Sequence, residues 1–258
     1  MGVAPAAIEF RNVSYRLPEG RALLLDVTME VAAGTTVALL GKSGSGKTTL
    51  LRAVNRMHGV SSGDLLVRGH SIFEQDPIAL RRSIGYVIQE TGLFPHFTVE
   101  RNIGLVLEIE GKSKAAIAER AHVLLEMVGL NAAEFAQRMP YQLSGGQRQR
   151  VGLARALAAG QDILLMDEPF GALDPLTRAE MQDVLRRLTL EVQENGARTT
   201  VLLVTHDLDE ALYLAERVVL MEGGGIVANL PAAQFLSSTV AAVQAYVRAV
   251  HRGTETRS

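Results

Sequence analysis

No cysteine occurs among the 258 residues, so disulfides and thiolate metal sites are excluded. Long apolar runs are missing too. Stretches such as residues 163–166 and 201–204 are a few residues long, against roughly 20 for a membrane-spanning helix. Residues 1–9 have no basic patch and no extended apolar segment, so no secretory signal is expected. An excess of charge of either sign is also lacking: 26 basic and 28 acidic residues leave a net charge of -2. That balance gives no electrostatic ground for bulk binding to nucleic acid or anionic lipid. Internal repeats and low-complexity tracts are absent. The expectation is a soluble protein on the cytoplasmic side, and any transport across a membrane would need partners to supply the path.

Hydrophobic residues make up 47% of the chain, enough for one sizeable core at the upper edge of single-domain length. Short runs rich in Val, Ile, Leu and Met alternate with helical patterns, as in an α/β fold. Thr36–Leu40 reads as a buried strand, followed by a Gly-rich turn and a helix from about Lys47. Residues 84–88, 163–166 and 200–204 read as further buried strands. Asp174-Pro175 predicts a helix start, with Met181, Val184, Leu185, Leu188 and Val192 on one face and Gly196 as its stop. A second amphipathic helix carries Ile117, Ala121, Leu124, Leu125 and Val128 and ends at Gly129. It lies in a region, about 93–142, with few strand signals, which is read as a helical insertion. Residues 1–235 then form the main domain, and 236–258 a short helical tail with a polar, frayed end.

Directly after the four apolar runs come the Gly41 loop, Gln89, Asp167-Glu168 and His206. Open α/β sheets bind ligands at the carboxyl ends of their strands. Four strands that deliver such groups to one edge imply one site.

Gly41, Lys42, Ser43, Gly44, Ser45, Gly46, Lys47 and Thr48 match G-x-x-x-x-G-K-[ST], with Thr49 next in line. The glycines let backbone N–H groups face a phosphate, and the helix start adds its positive end. Lys47 would reach the β- and γ-phosphates of ATP, and the Thr48 hydroxyl would bind Mg²⁺. A chance match would occur in roughly 1% of chains this long. The strand ending in Asp167-Glu168 offers one carboxylate for Mg²⁺ and a second, Glu168, to polarise an attacking water. Alone, an acidic strand end is commonplace; beside a phosphate loop it gains meaning. Ser144, Gly145, Gly146 and Gln147 precede a helix expected from about Arg148 to Ala158, and offer a second anion site. An ordinary serine cap would look the same.

With the phosphate loop, Gln89, Leu-Ser-Gly-Gly-Gln, Asp167-Glu168, Asp174 and His206 in this order, the chain resembles the ATPase subunits of ABC transporters over nearly its whole length. The resemblance implies a P-loop NTPase (RecA-like) core, an inserted α-helical subdomain and an antiparallel β region near the N-terminus. It implies ATP and Mg²⁺ as ligands, with Thr48, Gln89 and Asp167 at the metal and Glu168, His206 and Gln89 in catalysis. It further implies a head-to-tail pair of ATPase subunits, with nucleotide between the phosphate loop of one and the Ser144 segment of the other. The residue matching Asp174 contacts across that interface, and the one matching His206 touches the γ-phosphate. Transmembrane permease subunits and an extracytoplasmic solute-binding protein are the implied partners, with the chain peripheral on the cytoplasmic side of the cell membrane.

Residues 83–89, the run Gly92-Leu93-Phe94-Pro95-His96 and the run from Phe170 to Pro175 look most like importers of quaternary-ammonium osmoprotectants, such as glycine betaine and choline. Two departures stand out. Subunits of that kind often carry a C-terminal pair of CBS domains, for which the residues after Phe235 are too few, so no such regulation is expected. The aromatic that usually stacks on adenine falls at Leu17, while Tyr15 stands two residues earlier on what reads as the same strand face; either could cover the base. Leu93, Phe94, Pro95 and Phe97 pack inside the insertion or line a groove for a cytoplasmic helix of the permease. Other solutes (an amino acid, a sulfonate, a lipid) remain alternatives. A soluble ABC ATPase acting on nucleic acid is the alternative from another class; against it stand the single cassette and the lack of a heptad run. His58, His70, His122 and His251 lack metal-ligand spacing and are read as structural or solvated.

Overall fold

The computed structural model describes residues 6–88, 92–190 and 198–255. In chain order the elements are β1 (Ala6–Arg16), β2 (Ala22–Ala32), β3 (Thr36–Leu40), α1 (Lys47–Val54), β4 (Ser62–Val67), β5 (His70–Ser71), α2 (Pro77–Arg82) and β6 (Gly85–Val87). Next come α3 (Val99–Ile109), α4 (Lys114–Met127), α5 (Ala132–Phe135), α6 (Gly145–Ala156), β7 (Ile163–Asp167) and α7 (Pro175–Leu190). The chain closes with β8 (Thr200–Val204), α8 (Leu208–Leu214), β9 (Arg217–Glu222), β10 (Gly225–Pro231), α9 (Ala232–Phe235) and α10 (Ala241–Glu255).

These elements form two compact units, residues 1–80 with 200–258, and residues 81–199. The first unit holds two sheets. One is antiparallel, with order β2-β1-β4-β5. The other runs β10-β9-β3-β8, with β3 parallel to both β8 and β9 and only the β9–β10 hairpin antiparallel. The expected α/β class with an antiparallel N-terminal region is therefore what is found. Both β3 and β8 are buried at every residue, so their sequences read as unbroken apolar runs rather than alternations. α8, α9 and α10 pack through Leu208, Ala211, Phe235 and Val243 onto Ala38, Leu40 and Val218 of the sheet.

The second unit is mostly helical around a parallel β6–β7 pair. Side-chain caps set its helix starts, each accepting an N–H of the first turn: Thr98 on α3, Ser113 on α4, Asn131 on α5 and Ser144 on α6. On α4, Ala121, Leu124 and Leu125 are buried, and Gly129 follows with φ 73°. Met181, Val184 and Leu185 are the buried face of α7. Val192 and Gly196 lie outside the described residues.

Two expectations need correction. α6 begins at Gly145 and ends at Ala156, three residues earlier than read at the start and two at the end. The Ser144 hydroxyl accepts the Gln147 N–H at 3.2 Å and the Gln147 side chain accepts the Ser144 N–H at 2.9 Å, so the glycine pair is already in the first helical turn. β1 stops at Arg16, so Leu17 does not share a strand face with Tyr15. It opens a turn in which its N–H donates to Arg21 O.

Candidate functional site

Within the first unit, β3 runs straight into the loop that the sequence marks for phosphate. Gly41 has φ 147°, and a Cβ there would come 2.3 Å from the Met221 carbonyl and 2.7 Å from the Ser45 hydroxyl, so only glycine fits. Gly44 and Gly46 are left-handed, and Gly46 caps α1. Lys47 is buried at 6% exposure. Its ammonium folds back over the loop, donating to Gly41 O at 2.7 Å and Lys42 O at 3.0 Å. Lys42, Ser43 and Gly44 stay exposed at the loop's outer turn. Thr48 and Thr49 are half-buried in the first turn of α1.

His206 belongs to the same unit, on the short link between β8 and α8, where it is exposed. Both neighbours are tied down. The Thr205 N–H donates to Leu39 O at 3.2 Å, and the Thr205 hydroxyl accepts the Asp207 N–H at 3.0 Å. Asp207 then caps α8 by accepting the Glu210 N–H.

The remaining described site residues lie in the second unit. Asp167 ends β7 and is 3% exposed. Glu168 follows with φ 47°, a left-handed conformation that an acidic side chain adopts at a cost and that tends to mark functional turns. The peptide beyond it is held by Gln149, a buried residue of α6 whose amide donates to Pro169 O. Ser144 caps α6 as above and is exposed, with Gly145 beside it. Asp174 is exposed and accepts the Thr177 N–H at 3.1 Å at the start of α7. Hydrogen bonds from the Thr177 side chain and then its backbone hold the Asp174 carboxyl below its ordinary pKa. Gln89, expected at the metal and in catalysis, lies outside the described residues.

The apolar run after Gln89 is no core segment: Phe94 is 46% exposed, and Leu93 and Phe97 are half-buried. The rings of Phe94 and Phe97 lie 5.3 Å apart, with the Arg101 guanidinium 4.0 Å over Phe97. Asn102, fully buried on α3, braces the loop. Its Oδ1 accepts the Phe94 N–H at 2.7 Å, and its amide nitrogen donates to the carbonyls of Phe94, Phe97 and Thr98.

Tyr15 packs its ring 6.0 Å from that of His58 and against Gly59, so its face is partly taken by its own unit. Three supporting residues escaped the sequence reading: Asn102, Gln149 and Tyr246, the last on α10 with its hydroxyl at 3.4 Å from His206 O. A polar residue interrupting an apolar helical face is the signal each one carried.

A family model described as ABC transporter matches residues 24–171. The choline transport ATP-binding protein OpuBA of Bacillus subtilis is 43% identical over 220 residues, covering 85% of this chain and 56% of that one. The osmoprotectant import ATP-binding protein OsmV of Salmonella typhimurium is 46% identical over 202 residues, covering 78% and 52%. The chain thus spans about half the length of these curated relatives. A solved ATP-binding cassette, dimeric and bound to ADP and Pi in a post-hydrolysis state, superposes with a TM-score of 0.76 at 32% identity, covering 87% of this chain and 98% of that one.

Proposed function

Since the chain belongs to the ABC transporter family, we propose that it is the ATP-hydrolysing subunit of an osmoprotectant importer, acting on quaternary-ammonium solutes through partner membrane subunits. The solute class is supported by relatives at 43% and 46% identity, a choline transport and an osmoprotectant import ATP-binding protein. No helix among the described residues is long and apolar enough to cross a membrane. In this reading permease subunits supply the translocation path, a solute-binding protein delivers the cargo, and this subunit sits peripherally on the cytoplasmic face.

The observation that carries the reading is the phosphate loop. Three glycines with positive φ expose backbone N–H groups at the start of α1, and the Lys47 ammonium is already folded across them. The buried Ser45 hydroxyl has no hydrogen-bond partner among the described residues, a polar group poised under a loop built for an anion. The family resemblance assigns Mg²⁺ to Thr48, Gln89 and Asp167, and hydroxyl, amide and carboxylate oxygens are the hard donors that this ion takes. Bound there, the ion would neutralise charge on the β- and γ-phosphate oxygens. The chain's own contribution is to hold the polyphosphate through Lys47 and the loop amides. Glu168 orients water, and His206 steadies the γ-phosphate. Ser144, Gly145, Gly146 and Gln147, with Asp174, serve the nucleotide of a second copy in a head-to-tail dimer.

ATP isotherms and phosphate release on two variants test this. Lys47→Ala removes a cation from the β/γ-phosphates and should weaken binding itself. Glu168→Gln keeps the shape but not the charge, so it should bind ATP normally, stop turnover, and dimerise in Mg-ATP. A Glu168→Gln variant that hydrolyses at the parent's rate would remove Glu168 from its assigned role.

A further inference from the structure

Val243, Val247 and Val250 of α10 pack onto the core around Leu208, Ala211 and Phe235. Tyr246 shares that packing, but it also carries a hydroxyl into the seam. The hydroxyl donates to the His206 carbonyl at 3.4 Å, and the Gly41 backbone faces the same oxygen. A single phenol oxygen thus stands against the first residue of the phosphate loop and against the residue assigned to the γ-phosphate.

On either side of His206 the backbone is tied down. Thr205 and Asp207 are pinned from β3 and from Thr205's own hydroxyl. The His206 peptide between them leans on α10. Beside it lies a cavity of about 380 Å³, bounded by Lys42, Ser43 and His206 on one side and by Ala245 and Ala249 on the other. The small alanines leave room into which both loops could relax if the phenol were shortened.

We infer that Tyr246 is a positioning residue for ATP turnover, its hydroxyl clamping the His206 peptide beside the start of the phosphate loop and so fixing where the imidazole points. This rests on the proposed role of His206. Tyr246 itself touches no reacting atom. Burial pushes the phenol pKa up, the Gly41 backbone opposes it, and the Asp207 charge adds to the rise. The hydroxyl therefore keeps its proton across the physiological range and can go on donating.

A tyrosine that only satisfies its own hydroxyl makes a different prediction, so the test uses Tyr246→Phe in the full chain, which keeps the ring. Loss of one positioning hydrogen bond should lower kcat roughly three- to tenfold, with the KM for Mg-ATP and the thermal midpoint unchanged. In a His206→Ala background, followed by single-turnover hydrolysis with enzyme in excess, the same substitution should cost nothing further. An unchanged kcat would overturn the clamp. So would a fall in kcat that travels with KM and thermal midpoint, or an equal loss in both backgrounds. A His206→Ala variant as active as the parent would instead overturn the role of His206, and the clamp with it.

Discussion

The Thr177 side chain occupies the space where a Gly146 side chain would begin: a Cβ on Gly146 would lie 2.4 Å from Thr177 Cγ2. Gly146 is in the first turn of α6 and Thr177 in the first turn of α7, so the two helix starts meet at bare backbone. Gly146→Ala should cost about 1–3 kcal/mol through overpacking. Thr177→Ser removes the offending methyl while keeping the hydroxyl and the N–H that serve Asp174, and should restore most of the loss. Urea unfolding of the two single variants and the double variant reads this directly. If Gly146→Ala unfolds at the parent's midpoint, the glycine is there for an anion and not for packing.

Asn102 makes four hydrogen bonds from a fully buried position. Asn102→Asp keeps the acceptor for the Phe94 N–H but turns a donating nitrogen into an oxygen facing three carbonyls. The expected loss is about 2–4 kcal/mol, above that of a single hydrogen bond, because the carbonyls are left unpaired near a like-signed group. Hydrogen exchange should quicken at the amides of residues 94–98 before it quickens elsewhere in α3. Uniform acceleration across the unit would mean that Asn102 is a general core residue and not a brace for this loop.

How much of this was legible beforehand depended on the length scale of the signal. β3, β7 and β8 could be read directly, because a strand buried on both faces has to be an apolar run. The phosphate loop was equally plain, since glycine at Gly41 is demanded by a 2.3 Å approach to Met221 O. Two adjacent glycines argue against a helix on propensity, which puts the expected start of α6 too late. The reciprocal Ser144–Gln147 cap outweighed that preference, and its S-x-x-Q pattern was present in the sequence. For Asn102 and Tyr246, a polar group on an apolar helical face could flag the position but not name its partner. Their meaning lies in contacts 8 and 40 residues away, and a single sequence carries no record of such pairings.

Asp174 gives the acid stability of the second unit a testable sign. Its folded pKa lies below the ordinary value of 3.8 because Thr177 donates to the carboxylate. The stabilisation is therefore complete above that value and is lost as pH falls through the lower, folded pKa. Asp174→Asn keeps a good helix cap but does not titrate. Urea midpoints at pH 6 and pH 3 should fall further for the parent than for the variant. Parallel losses would place the acid sensitivity elsewhere.

The last prediction concerns the surface beyond Gln89. Phe94 and Phe97 stack on each other, Phe94 is 46% exposed, and Asn102 fixes the backbone that presents them. An aromatic pair held on a braced loop costs stability unless something covers it, and a cytoplasmic helix of the permease is the proposed cover. Phe94→Ser removes exposed apolar area while leaving the Asn102 bonds to its backbone in place. Its unfolding midpoint should stay within about 0.5 kcal/mol of the parent, as for other surface changes. Basal ATP hydrolysis should persist, while co-purification with the permease and solute uptake in vesicles fall together. Phe97→Ser should do the same with some added loss of stability, since Phe97 is half-buried beneath Arg101. If Phe94→Ser leaves uptake intact, the docking surface lies elsewhere on the helical unit; if it unfolds the chain, the ring is part of the core despite its exposure.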